Sequence, residues 1–163
     1  MPEYEKKITS DSIYQKQQNK VDDFRFNRQV VDVFPDMIER SIPGYADIID
    51  GVGRLAAKFT VSKSNVYDLG CSLGAASLSI AKHNRQQDIQ IIGIDNSPEM
   101  VKRCQRHVDS YTYGTPIDIR EADIIDFDIK NASVIVMNFT LQFIEPKLRN
   151  DLMAKLFDAL LPS

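Results

Sequence analysis

Between residues 65 and 139, short and nearly continuous apolar runs alternate with longer stretches of helical periodicity, and this alternation constrains the fold most. The runs are residues 65–69 (NVYDL), 89–94 (IQIIGI), 117–120 (IDIR) and 133–139 (SVIVMNF). Residues 75–82 read as a helix. Ser97 is placed to cap another, with Pro98 in its first turn and Met100, Val101, Cys104 and Val108 along one side. Pro146 opens a last helix, with Leu148, Leu152, Leu156 and Leu160 expected inward. Strands that carry apolar residues on both faces, joined by helices, predict a parallel sheet covered on both sides. Right-handed crossovers make this a doubly wound α/β fold.

Upstream, Val30, Val31, Phe34, Met37 and Ile38 fall at helical spacing as far as Ser41. A second helix is expected from about Tyr45, with Ile48, Ile49, Val52, Leu55, Ala56 and Phe59 forming one buried face. Residues 1–23 are polar without a clear period and read as a mobile arm or a fraying helix, leaving 24–163 as the folded domain. The chain of 163 residues carries 20 Lys+Arg against 23 Asp+Glu, for a net charge of −3. A mildly acidic chain without a basic run lacks the electrostatic footprint of a nucleic-acid binder, so no direct nucleic-acid contact is expected. No membrane span and no signal peptide can be read, so a cytoplasmic setting is expected. Cys71 and Cys104 have no metal-type spacing, so no metal is expected, and no catalytic triad can be assembled.

In an open parallel sheet, ligands bind beyond the carboxyl ends of the strands, so the residues following each strand are the candidates. After the first comes Asp68-Leu69-Gly70-Cys71-Ser72-Leu73-Gly74. Its glycines allow a sharp turn and close approach to a ligand at the N-terminus of the next helix. It departs from the dinucleotide pattern G-x-G-x-x-G by an acid before the first glycine and a serine in the middle, which favours a nucleoside without a pyrophosphate. Asp95 ends the second run, 21 residues past Gly74, at the distance where a carboxylate accepts both hydroxyls of a ribose. Asp123 follows the third and is placed to accept from a purine amine, with Asp126 and Asp128 nearby as alternatives. Asn138 follows the fourth, where an amide suits a zwitterionic amino-acid group. Each residue also has a plainer use, the loop as a tight turn and Asp95 or Asn138 as a cap. Taken together, four sites after four consecutive strands describe S-adenosyl-L-methionine.

The segments VFPDMIERSIPGYADII, VYDLGCSLGAASLS, IIGIDNSPEMVKRC and NFTLQFIEP resemble the carboxy-S-adenosyl-L-methionine synthase family, from about Phe24 to the end of the chain. That resemblance implies a Rossmann-like class I methyltransferase fold and a transferase. It implies that S-adenosyl-L-methionine becomes carboxy-S-adenosyl-L-methionine with prephenate as carboxyl donor and phenylpyruvate as by-product. The substrate itself is expected to accept the proton, so no catalytic base is assigned. A downstream tRNA carboxymethyltransferase would take the product to the wobble uridine, and a homodimer is expected. Cofactor contacts carried over by position are Tyr45, Gly70, Cys71, Ser72, Asp95, Asn96, Asp123, Ile124 and Asn138, beside Asp68 and Gly74 of the glycine loop. The family pattern also includes later strands and an arginine for the added carboxylate, to which no residue here corresponds. The chain is therefore expected to be C-terminally truncated, with the fourth strand as an apolar edge that invites association. An ordinary S-adenosyl-L-methionine-dependent small-molecule methyltransferase and a non-catalytic binding fragment are the alternative readings.

Overall fold

A computed structural model describes residues 28–111 and 114–162. The chain divides into two compact units, residues 1–46 and 47–163. The polar arm expected at 1–23 lies outside the described residues. In the first unit, the helix α1 (Arg28–Ser41) follows the apolar spacing and runs through Pro35. A turn with Gly44 at φ +72°, in which Tyr45 N–H donates to Ile42 O at 3.2 Å, leads into α2 (Tyr45–Phe59). That helix begins in the last two residues of the first unit and continues through the second.

The second unit is built on four parallel strands, β1 (Asn65–Leu69), β2 (Gln90–Asp95), β3 (Ile117–Glu121) and β4 (Ala132–Val136), in the order β3-β2-β1-β4. The helices α3 (Ala75–His83), α4 (Pro98–Asp109) and α5 (Pro146–Ala159) connect and cover them. Alternate residues serve opposite faces of the sheet. Val66 and Ile91 pack with Ala56, Ile80 and Ala81 on one side. Tyr67, Leu69, Ile92 and Ile94 pack with Ile124, Ile129, Leu152 and Leu156 on the other. Each such Leu or Ile contributes roughly 1.5–3 kcal/mol by leaving water, which is why the two central strands carry apolar residues on both faces. Ser97 caps α4 as expected, its Oγ accepting from Met100 N–H at 3.3 Å. Among the described residues, no helix is long and apolar enough to cross a membrane.

Three expectations change. Leu55 and Phe59 were expected on the buried face of α2 but are 61% and 58% exposed. The close approach of α2 to α3 is made by small residues instead: Ala56 is buried, and a Cβ on Gly53 would overlap Ser79 Oγ and lie 2.6 Å from the Ser79 carbonyl oxygen. Hydrophobic size marked one stripe of the helix, and backbone proximity selected its neighbour. Next, β4 stops at Val136 rather than running to residue 139, because Phe139 turns into the left-handed region at φ +60°. Last, Leu160 is not an inward residue of the last helix. It lies past the end of α5, 39% exposed, in a parallel bridge to Ala132, and Leu161 N–H donates to Ala132 O at 2.8 Å. In the sheet order β4 is an edge strand, met at its start by this bridge.

Candidate functional site

The glycine loop between β1 and α3 is shaped by three left-handed residues, Gly70 (φ +75°), Ser72 (φ +51°) and Gly74 (φ +82°). Gly70 and Cys71 donate their N–H groups to Ile94 O at 2.8 and 2.9 Å, which folds the loop back over the end of β2. A glycine in β2 makes this possible: a Cβ on Gly93 would sit 2.7 Å from Ile119 Cδ1 and 3.1 Å from Cys71 Sγ. The fold-back brings the loop against Asp95. Ser72 N–H donates to Asp95 Oδ2 and Ser97 N–H to Asp95 Oδ1, both at 2.9 Å.

Burial pushes the Asp95 carboxyl above its usual range, against the pull of the Ser97 and Ser72 amides. The group is only half-buried. A carboxylate has about four lone-pair positions, so with one amide on each oxygen it can still accept a pair of hydroxyls. Asn96 beside it is exposed. Asp123 is exposed too, its Oδ1 accepting from Ile125 N–H at 2.9 Å, while the neighbouring Ile124 is buried. Asn138 is half-buried two residues past the end of β4.

The strands therefore bring Gly70, Cys71, Ser72 and Gly74, Asp95 and Asn96, Asp123 and Ile124, and Asn138 to the same carboxyl edge of the sheet. Tyr45 opens α2 and belongs to the first unit, while all the other candidates belong to the second. Two candidates within the loop are turned inward. Asp68 is 2% exposed, and its Oδ2 accepts from both Ser77 N–H (3.0 Å) and Ser77 Oγ–H (2.6 Å), pinning the first turn of α3. Desolvation pushes its carboxyl up to about 6. Cys71 is 4% exposed, and the Cys104 thiol beside it, with burial, raises its own thiol well above the ordinary value. It is a packed thiol, not a nucleophile.

Ser77 and Thr140 brace this edge through hydrogen bonds to Asp68 and to Leu69 O and were not singled out from the sequence. Thr140 Oγ–H donates to Leu69 O at 2.7 Å, tying the segment after β4 to the end of β1. Hydroxyls at the start of a helix or just past a strand are the available signal, and many others in the chain share it. No group of three or more His, Cys, Asp or Glu among the described residues could hold a metal ion.

The fold agrees with known proteins. The chain is 51% identical over 156 residues to a carboxy-S-adenosyl-L-methionine synthase of Vibrio campbellii, covering 96% of this chain and 64% of that relative. It is 54% identical over 153 residues to the protein of the same name from Colwellia psychrerythraea, covering 94% and 63%. The chain thus spans less than two thirds of the length of these relatives. Among solved structures, the magnesium protoporphyrin IX methyltransferase of Synechocystis, crystallised with bound SAM, shares the fold. Its TM-score is 0.59 at 19% identity, over 85% of this chain and 62% of that one. Residues 66–163 match the family model described as a methyltransferase domain, and over that span, more than half of its length, the chain belongs to the methyltransferase domain family.

Proposed function

We propose that the chain binds S-adenosyl-L-methionine along the carboxyl edge of its sheet and serves its conversion to carboxy-S-adenosyl-L-methionine. The observation that carries the reading is Asp95, held by the Ser72 and Ser97 amides with acceptor capacity left for a ribose diol. Asp123 would accept from the adenine amine, the glycine loop would pass beneath the sulfur, and Asn138 would meet the amino-acid end. When bound, the sulfonium supplies an activated carbon. The protein's own share is orientation and a preformed electrostatic setting, with the second reactant taking the proton.

The relatives' printed name supports carboxylation in particular. In this reading prephenate is the carboxyl donor, and the product passes to an enzyme that modifies wobble uridine in tRNA. The protein itself works in the cytoplasm as a homodimer without touching nucleic acid. The methyltransferase-domain match favours ordinary methyl transfer to a small molecule as the second reading.

Mass spectrometry of small molecules after incubation with S-adenosyl-L-methionine and prephenate separates the two. A product heavier than the cofactor by one carbon dioxide supports carboxylation. Release of S-adenosylhomocysteine with a methylated acceptor supports methyl transfer. Isothermal titration tests the site beneath both readings: Asp95→Ala should weaken cofactor binding by about tenfold or more, the scale of a lost charge-assisted contact. Unchanged affinity in that variant would remove Asp95 from the site.

A further inference from the structure

Among the described residues, Lys155 has no carboxylate partner, although Asp151 and Asp158 stand on its own helix and Asp123, Asp126 and Asp128 lie in the loop after β3. Its ammonium donates instead to two backbone carbonyls of that loop, Ile125 O at 2.6 Å and Ile124 O at 3.4 Å. A surface lysine ordinarily lays its stem along the protein and keeps its charged end in water. This one is half-buried and commits two of its three donors to main chain. The helix α5 places it there. Leu152, Lys155 and Leu156 fall at i, i+3 and i+4 and share a face, and the two leucines pack with Ile124 and Ile129 of the same loop.

The two carbonyls belong to the turn that carries Asp123. Asp123 O accepts from Asp126 N–H at 3.2 Å and Phe127 N–H at 3.0 Å, and Asp123 Oδ1 accepts from Ile125 N–H at 2.9 Å. Ile124 O and Ile125 N–H are the two ends of one planar peptide group. Lys155 therefore holds this peptide by its oxygen while the Asp123 carboxylate accepts from its N–H, and the Lys155 contact to Ile125 O fixes the next peptide. Asp123 is itself exposed, so the turn, and not packing around the side chain, decides where its second oxygen points. That oxygen, Oδ2, has no partner among the described residues. We infer that Lys155 is the positioning residue that aims Asp123 at the base, and so sets a preference for a purine carrying a 6-amino group. A 6-amino group donates to the carboxylate, whereas a 6-oxo group in its place turns lone pairs toward it, so discrimination depends on how firmly the carboxylate is held. Lys155 acts through the turn and not by contact with the ligand. The inference rests on the cofactor reading above and adds the residue that makes Asp123 selective.

Titration calorimetry on the intact chain tests this with S-adenosyl-L-homocysteine and S-inosyl-L-homocysteine, which differ at the purine 6-position. The wild type should bind the adenine compound about tenfold or more tightly. Lys155→Met keeps the length of the side chain and removes the ammonium, and the ratio should fall to about threefold or less. Lys155→Gln, a second removal of the charge that leaves a polar end at this half-buried position, should lower it in the same direction. Lys155→Arg, which restores N–H donors for the carbonyls, should return it to within about twofold of the wild type. Asp123→Ala should also bring the ratio to about threefold or less, and Lys155→Met added to it should change the ratio no further, as for two residues acting through one contact. A lysine that only anchors α5 to the loop would weaken both ligands alike. An unchanged ratio in Lys155→Met and Lys155→Gln, no recovery in Lys155→Arg, or a further fall in the double variant overturns the inference alone. Failure of S-adenosyl-L-homocysteine to bind the wild type, equal affinity for the two compounds, or an unchanged ratio in Asp123→Ala overturns the reading of Asp123 as the base acceptor, and this inference with it.

Discussion

Asp68→Asn should remove a pH dependence of stability that the wild-type fold carries through one buried carboxyl. Asp68 is 2% exposed and is bonded to Ser77 through one oxygen. Burial is the main cause that lifts its carboxyl from 3.8 to about 6. Ser77's two hydrogen bonds oppose the lift, and the Asp95 charge adds a smaller push upward. The folded state therefore holds this proton more tightly than the unfolded chain. Between pH 3.8 and about 6 the native protein keeps the proton while the unfolded chain releases it, so stability falls as pH rises through that window. Worked from the gap between 3.8 and about 6, at roughly 1.4 kcal/mol per pH unit, the loss is about 3 kcal/mol. Asparagine keeps an acceptor for Ser77 and has no charge to bury. Its extra N–H adds a cost that does not vary with pH, so the slope is the readout and not the level. Urea unfolding followed by circular dichroism from about pH 4 to pH 7 measures it. Wild-type stability should decline relative to Asp68→Asn by about 3 kcal/mol across the window and run level with it above. Parallel profiles for the two proteins would refute the reasoning.

Within α2, two glycines two residues apart should respond to alanine in opposite directions. Gly51→Ala meets nothing within 4 Å and should stabilise by about 0.5–1 kcal/mol through helix propensity. Gly53→Ala collides with Ser79 and should destabilise by about 1–3 kcal/mol; thermal midpoints that move together would contradict this packing of α2 on α3. Gly70→Ala combines a left-handed backbone with a 2.5 Å approach to Thr140. It should cost about 2–4 kcal/mol and weaken cofactor binding, read by denaturation and titration on the same preparation. Asp50 is held down at about 2, first by Arg54 and then by His83, with contacts of 2.6 and 2.8 Å. Its stabilisation is present above 3.8 and lost as pH falls toward about 2, so Asp50→Asn should be modestly less stable than wild type at neutral pH, with urea-unfolding midpoints of the two proteins converging as pH falls toward about 2.

The sequence by itself determined what depends on local pattern. Apolar runs that serve both faces of a sheet, helical spacing between them, Ser97 before Pro98, and an acid 21 residues beyond a glycine loop are all written along the chain at short range. They were enough to place four strands, their helices, and a line of candidates at one edge. Tertiary structure decided which neighbour each residue meets. Leu55 and Phe59 have the hydrophobicity of core residues, yet Gly53 and Ala56 take the contact because only small side chains let α2 approach Ser79. Asp68 and Asp95 are both acids at strand ends. One is buried against a hydroxyl nine residues away, and the other is held half-buried by the amide of Ser72, 23 residues back. Phe139 reads as the last residue of an apolar strand, yet it is left-handed, and Thr140 after it ties the next turn to Leu69, 71 residues earlier. Periodicity records how a segment divides its faces. It carries no record of the distant atoms that compete for each polar group, and at this sheet edge those atoms define the site.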